Sequence, residues 1–208
     1  GSEQLDSFEE SRRQVVVADR LVLTKTDLVS EAESGAVRER LTGLNAAAMR
    51  MDGHAGSEAL RQALLETDPY HEDGRAADAS RWLRSAPAHG EVVAAHTGGI
   101  SSFSVRIVEP IDWTAFSIWL SAMVHRYGDQ LLRVKGLLDV PEAQGPVLLQ
   151  AVQRYIYPPC HLADWPDGDH SSRLVFIVKD LDPDVVRRSL DHALSKGSVP
   201  SVALAAGA

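Results

Sequence analysis

An apolar stretch that ends in Thr24, Lys25 and Asp27 has the clearest chemistry in this chain. An Asp carboxylate has two acceptor oxygens and can accept paired hydrogen bonds from the adjacent ring N–H and amino N–H of guanine, a donor pair that adenine lacks. We therefore interpret the stretch as a guanine-recognition turn with Asp27 as the residue that contacts the base. In such a turn the methylene stem of Lys25 would lie against the base plane, and Thr24 would brace the loop by hydrogen bonding.

The alternative for the same residues is a solvated turn after a strand. A Thr/Asn-Lys-x-Asp match arises by chance in fewer than about one in ten chains of this length at average residue usage. The turn also follows an apolar run, and α/β folds place their ligands at the carboxyl ends of buried strands. Both points favour the guanine-binding interpretation.

The elements around the turn predict the start of an α/β domain. Residues 15–18 and 21–23 form an apolar run rich in β-branched side chains, which is typical of a strand buried on both faces. Ser30 and Glu33 have the spacing of a capping box and predict a helix over residues 31–44.

A second strand and a second helix are expected next. Residues 46–51 could form a short strand closed by Asp52 and Gly53, and Ser57 would begin a helix whose inward residues are Leu60, Ala63 and Leu64. Strands that alternate with helices indicate a parallel sheet with right-handed crossovers. Two strands and two helices are too few for a whole domain of this kind.

Breakers and charged residues between 68 and 90 predict a linker. Trp82 and Leu83 within it suggest one short helix that packs against the protein, because a linker without a packing role seldom contains a Trp.

The second half has a different periodicity. Phe103, Val105 and Ile107 alternate with polar residues, which predicts a strand with one buried and one solvated face. Further strands are expected over 131–140, 147–157 and 174–178. The fold class expected here is α+β, a four-stranded, mainly antiparallel sheet with helices on one face.

The helices of this half have recognisable ends. Asp112 is expected to cap one helix, with Gly128 as its left-handed stop. Asp182 and Pro183 are expected to begin the last helix, and Gly197 is expected to end it. We also expect a bulge at the glycine of strand 131–140 and a flexible tail over 197–208.

Composition limits the classes of function. The 208 residues are 44% hydrophobic and 24% charged, as in soluble globular proteins. A formal charge of −8 and a pI near 5.4 argue against nucleic-acid and membrane partners. Cys160 is the one cysteine, which excludes an intrachain disulfide and favours a reducing, cytoplasmic setting. No run of eighteen apolar residues exists in the sequence.

Four short segments together carry a resemblance to a known family. The chain resembles the C-terminal part of a CobW-family GTPase, from the cobalamin-synthesis and nitrile-hydratase-activator group of metallochaperone-like P-loop proteins. The segments are ADRLVLTKTDL at 18–28, ISSFS at 100–104, LLRVKG at 131–136 and SRLVFI at 172–177.

The resemblance implies a domain plan and a role. Residues 1–90 would be the C-terminal remnant of a GTPase domain with a linker, 91–196 the CobW C-terminal domain, and 197–208 a tail. Thr24, Lys25 and Asp27 would be the family's guanine-specificity motif. GTP, Mg²⁺ and a transition metal such as Zn or Co are implied for the full-length family. The implied partners are a client metalloprotein and an N-terminal GTPase half.

The chain also departs from the family pattern. A phosphate-binding loop ends in Gly-Lys-Ser/Thr, and no lysine of this sequence follows a glycine. The family's Cys-x-Cys-Cys motif is absent too, and Arg154 and Tyr157 stand where the family often has histidines. We therefore expect no catalytic residues, no cofactor bound by this chain and no GTPase activity from it alone. Cys160, His161 and His170 lack the spacing of known zinc sites and are interpreted as a partly buried thiol and two surface histidines.

A basic patch is the predicted partner-docking surface. Arg106, Arg133, Lys135 and Arg154 fall in polar phases of three neighbouring strands and could lie together on the outer face of the sheet. An acidic client, or the GTPase half itself, would dock there. The alternative is a solvated face whose charges need no explanation.

Two functions of different class thus stay open. The first is the nucleotide-sensing and client-docking half of a GTP-dependent metal-delivery protein. The second is a stand-alone protein-interaction module with no nucleotide role. A phosphate-binding loop upstream in the reading frame would favour the first.

Overall fold

The chain forms a small parallel sheet followed by a larger antiparallel one. The structure is a computed structural model that describes residues 2–54, 56–61, 64, 79–80, 82–83, 92–94 and 99–197. No helix within these ranges is long and apolar enough to cross a membrane.

The first part contains helices α1 to α4 and strands β1 and β2. Their bounds are α1 Ser2–Ser7, α2 Glu9–Val17, β1 Arg20–Leu23, a 3₁₀ turn Thr26–Leu28, α3 Glu31–Leu44, β2 Met49–Asp52 and α4 Ser57–Arg61. β1 and β2 pair in parallel, as the alternation of strands and helices predicts. The capping box at α3 is confirmed, since Ser30 and Glu33 exchange both hydrogen bonds. Ala63, predicted on the inward face of the second helix, lies outside the described residues.

The expected strand over residues 15–23 is wrong in its first half. Val15 and Val16 belong to α2, and only Arg20–Leu23 is a strand. Tertiary contacts override the β-branched preference here. Val16 is fully buried, and the side-chain amide of Asn45 donates to the carbonyls of Val15 and Val16 at 2.9 and 3.0 Å. These bonds satisfy carbonyls that the end of a helix leaves unpaired.

The second part contains strands β3 to β9 and two long helices. Their bounds are β3 Val92–Ala94, β4 Ile100–Ile107, α5 Trp113–Tyr127, β5 Leu131–Leu138, β6 Val147–Val152, β7 Tyr155–Ile156, β8 Cys160–His161, β9 Ser172–Lys179 and α6 Pro183–Gly197. The strand order is β3-β4-β9-β5-β6-β7, and β8 also pairs with β6. All these pairs are antiparallel.

α5 and α6 pack on one face of this sheet. Phe103 and Phe176 stack at 5.1 Å, and Trp119 of α5 meets the Phe176 ring edge-on. The indole N–H of Trp119 donates to Ser189 of α6 at 3.0 Å. Asp112 caps α5 through the backbone N–H of Ala115, as predicted.

The expected sheet differs from the observed one in strand number and in its second face. Among the described residues this sheet has seven strands instead of four. β3 and β8 are too short to show a period in sequence, and a turn at Gln153, with φ 51°, divides the strand expected over 147–157 into β6 and β7. The second face is covered as well. α2 packs there, and so does a short helical segment that contains Ala79 and Trp82. The expectation of helices on one face only is therefore wrong, whereas the docked Trp82, 2% exposed, is confirmed.

Two glycines have roles other than those predicted. The register shift of β5 lies at its start, and Gly136 pairs regularly. A Cβ on Gly136 would lie 2.6 Å from Leu174 Cδ2, so close packing of strands requires the glycine. Gly128 follows α5 with φ −57° and is no left-handed stop. A Cβ there would lie 2.5 Å from Arg154 Cγ.

Candidate functional site

The predicted turn begins where β1 ends. Lys25 has the left-handed conformation, with φ 60° and ψ 31°, and Thr26–Leu28 form one 3₁₀ turn. The backbone N–H of Leu28 donates to the Lys25 carbonyl at 3.2 Å. This reversal leaves the Asp27 side chain 57% exposed at the end of the strand. The carboxylate is thus accessible to a ligand.

His54 lies against Asp27. Its Nε2 is 2.8 Å from Asp27 Oδ1, and it follows β2 by two residues. Because the carboxyl ends of neighbouring parallel strands meet at one edge of a sheet, the segments after β1 and β2 come together. The expected site included neither His54 nor Asp52. A strand was predicted over residues 46–51. Because the carboxyl ends of neighbouring parallel strands lie at the same edge, the residues just after that strand could have been predicted to join the site.

Asp52 connects the turn to the segment after β2. It accepts hydrogen bonds from Thr26 Oγ1 at 3.2 Å, from Arg38 Nη2 at 2.8 Å and from the backbone N–H of His54 at 3.0 Å. The His54 N–H, then the Thr26 hydroxyl and the Arg38 charge, hold the pKa of Asp52 below its usual value. The hydroxyl that braces the turn is thus that of Thr26, and not that of Thr24 as predicted.

Gly53 brings the two segments into backbone contact. Its N–H donates to the Leu23 carbonyl at 2.6 Å. A Cβ on Gly53 would lie 3.0 Å from that carbonyl oxygen and 3.2 Å from Thr24 Cγ2. A larger residue would therefore push the turn away from the segment after β2.

A cavity of ≈ 870 Å³ opens beside the turn. It is lined by residues of α1, α2, β1 and α3 and by Thr24, Lys25 and Thr26 of the turn. Leu28 and Val29 next to it are 73% and 48% exposed. Asp27 is not among the lining residues, so its carboxylate lies beside this apolar opening and not inside it.

Two residues of the predicted basic patch are buried against the front half. Arg133 and Lys135 lie in β5, 8% and 5% exposed. Arg133 Nη1 donates to the Val17 carbonyl at 2.6 Å and Nη2 to Asp19, and Lys135 Nζ is 3.3 Å from the same Asp19 oxygen. Burial raises the pKa of Asp19, but the charges of Arg133 and Lys135 outweigh it, so the pKa lies below its usual value.

A second ion pair holds the other end of α2. Lys179 Nζ in β9 lies 2.7 Å from Glu9 Oε1. α2 thus contacts the antiparallel sheet at both ends, through Lys179 at its start and through Arg133 at its end. β1 and the turn follow directly after the end of α2.

The other two residues of the predicted patch, Arg106 and Arg154, pair with other carboxylates. Arg106 Nε donates to Ser171 Oγ at 2.8 Å and its Nη2 to Asp169 at 3.2 Å. Arg154 lies in the turn between β6 and β7 and pairs with Asp129 at 2.8 Å. The four cations therefore do not form one exposed basic patch, because α2 and the Trp82 segment cover the centre of that face and bury Arg133 and Lys135.

The described residues contain no group of three or more His, Cys, Asp or Glu side chains that could hold a metal ion. Cys160 Sγ lies 3.6 Å from the Pro158 carbonyl, and His170 stacks on Trp165 at 5.3 Å. The residues in these ranges therefore do not fit a transition-metal site.

The sequence from 100 to 194 matches the family described as the cobalamin synthesis protein cobW C-terminal domain. The chain is 31% identical over 189 residues to the zinc chaperone YjiA of Escherichia coli K12, covering 89% of this chain and 55% of that protein. It is similar to the crystal structure of a Zn(II)-bound triple mutant of the YjiA GTPase, with a TM-score of 0.68 and 28% identity over 92% of this chain and 57% of the other. The Zn(II)-bound YjiA GTPase from E. coli gives a TM-score of 0.64 and 27% identity at the same coverages. The chain thus spans about half the length of the relatives it matches.

Proposed function

Because the chain belongs to the CobW family, we propose that it supplies the guanine-recognising turn and the client-docking C-terminal domain of a GTP-dependent metal-delivery protein. One observation carries the proposal. The Asp27 carboxylate is exposed at the carboxyl end of a parallel strand and held there by His54. Ligands of α/β folds bind at that end of the strands.

The base-recognition step follows from hydrogen-bond chemistry. Asp27 accepts the ring N–H and the amino N–H of guanine, and the Lys25 stem lies along the base. Two charge-assisted bonds contribute about 1.5–3 kcal/mol each, which barely offsets the entropy of association. The turn therefore sets the choice of base, and contacts to the phosphates must supply most of the affinity. We expect this chain alone to bind GDP with a dissociation constant no better than about millimolar.

The contact between the buried Arg133 and the half-exposed Asp19 supports a connection between the nucleotide site and the C-terminal domain. Four residues of β1 separate Asp19 from the turn. The sequence suggested two docking partners for the basic residues, an acidic client and the GTPase half. We assign Arg133 and Lys135 to the second, the docking of the front half of the chain. We assign no residue of this chain to binding of the client or of the delivered metal.

Calorimetric titration with GDP tests the proposal. The 208-residue chain is compared with a form extended upstream through a phosphate-binding loop, and with the same extended form carrying Asp27→Ala. The proposal expects tight binding by the extended form and its loss in the variant. Equal GDP affinity with and without the Asp27 carboxylate would leave the stand-alone interaction module as the better account.

A further inference from the structure

We propose that Asp52 and His54 are positioning residues that fix the Asp27 carboxylate for guanine, although neither needs to touch the base. The inference rests on the proposed guanine site and adds residues to it that the turn motif does not include.

Asp52 acts on both sides of the site. Its carboxylate accepts from Thr26 Oγ1, one residue before Asp27, and from the backbone N–H of His54. Arg38 of α3 holds the same carboxylate at 2.8 Å. α3 is a 14-residue helix with a complete capping box, so Arg38 projects from a well-defined element. Asp52 thereby fixes the distance between the turn and the backbone that carries His54.

His54 acts directly on Asp27. An exposed carboxylate rotates freely about its χ angles, and ordering it on binding costs free energy. The contact of 2.8 Å between His54 Nε2 and Asp27 Oδ1 restricts that rotation before a ligand arrives. Each carboxylate oxygen has two lone pairs, so Oδ1 can keep His54 and still accept from a base, while Oδ2 accepts the second N–H. Guanine then meets a carboxylate whose plane is already set.

Orientation matters more for guanine than for a base with one donor. Hypoxanthine lacks the 2-amino group and offers Asp27 only the ring N–H. A correctly oriented carboxylate therefore prefers GMP over IMP by about tenfold, the effect of one hydrogen bond to a charged acceptor. A carboxylate that rotates freely keeps only part of that preference.

The experiment is a titration of the isotope-labelled chain with GMP and with IMP, followed by NMR chemical shifts, which reach millimolar dissociation constants. Asp52→Ala and His54→Ala are expected to lower the ratio of the IMP to the GMP dissociation constant from about ten towards one. His54→Gln keeps a side-chain donor and is expected to restore part of the ratio. Glu31→Ala is the matched control, since Glu31 also approaches Arg38, at 3.7 Å, but forms no ion pair or hydrogen bond with the turn within the described part of the chain.

The outcomes distinguish the guanine site from the positioning role of Asp52 and His54. If the unchanged chain binds GMP no better than IMP, the proposed guanine site is wrong and this inference with it. If the chain alone binds neither nucleotide detectably, the same comparison with GDP and IDP in the form extended upstream decides. If the unchanged chain prefers GMP and Asp52→Ala keeps the full ratio, the guanine site stands and the positioning role is overturned. A general loss of folding in Asp52→Ala would weaken both ligands equally or abolish the native spectrum. His54→Ala, which changes a side chain that is 55% exposed, then decides the case.

Discussion

Arg133 and Asp19 form an ion pair between residues 114 positions apart in the chain. Arg133 lies in strand β5 of the antiparallel sheet, and Asp19 lies between α2 and β1, the strand that leads to the proposed guanine-binding turn. Lys135 approaches the same Asp19 oxygen, and its ammonium group lies 5.9 Å from the centre of the Trp82 ring. The two parts of the chain are therefore joined by two buried cations that meet a half-exposed carboxylate, and not merely by a linker.

Removing Asp19 should destabilise the fold. In Asp19→Ala two buried cations lose their carboxylate, and leaving buried donors unsatisfied costs about 1–3 kcal/mol. Urea unfolding followed by circular dichroism would measure it. Asp129→Ala is the control, because it breaks the exposed pair with Arg154 and should change the midpoint little. Similar losses in the two variants would contradict the role given to Asp19.

Trp82 should contribute strongly to stability although it lies in a segment read as a linker. It is 2% exposed and packs with Leu137, Leu148 and Val175 on the outer face of the sheet. Trp82→Ala is expected to cost about 3–5 kcal/mol, as for other buried aromatic residues, and Trp82→Phe clearly less. Denaturant unfolding of both variants checks this. A wild-type midpoint for Trp82→Ala would show that the segment does not hold the sheet.

Asp169 should make the fold sensitive to acid. Hydrogen bonds from the Ser171 hydroxyl and backbone N–H, with Arg106 and Arg173 nearby, lower the pKa of Asp169 from 3.8 to about 2. A carboxyl with a lowered folded-state pKa stabilises the fold above its unfolded pKa and loses that contribution as the pH falls. The free-energy difference between wild type and Asp169→Asn should therefore shrink between about pH 4 and pH 2. A difference that stays constant over this window would contradict the assignment.

The C-terminal segment 91–197 should keep its fold when excised. α5 and α6 cover one face of the sheet with a core of its own. The excised segment would, however, expose Leu132, Ile177 and Val175 on the other face, and large apolar patches promote association. We expect a cooperative unfolding transition together with concentration-dependent self-association in sedimentation. A monomeric segment with no cooperative transition would contradict both points.

Local signals in the sequence predicted most elements, and non-local contacts account for most errors. Ser30, Glu33 and Asp112 mark helix starts because a cap acts within one turn. Val15 and Val16 were predicted as strand from their β-branched side chains. The residue that stabilises the end of α2 there, Asn45, lies about thirty positions further along the chain, where a local pattern does not show it.

The same reasoning applies to the site. The turn at Thr24–Asp27 is contiguous and can be recognised from residue types alone, whereas Asp52 and His54 reach it only through the pairing of β1 with β2. Alternation in β5 gave Arg133 the correct face, but no sequence period shows that α2 covers that face.

The most direct test of the central claim exchanges the hydrogen-bond pattern of Asp27. Asn offers one acceptor and one donor, so it matches xanthine, which has a carbonyl where guanine has its amino group. In the upstream-extended form, calorimetric titration with GDP and XDP should show that wild type prefers GDP and that Asp27→Asn prefers XDP, each by about tenfold or more. If the base preference were the same in both proteins, Asp27 would not be the residue that recognises guanine.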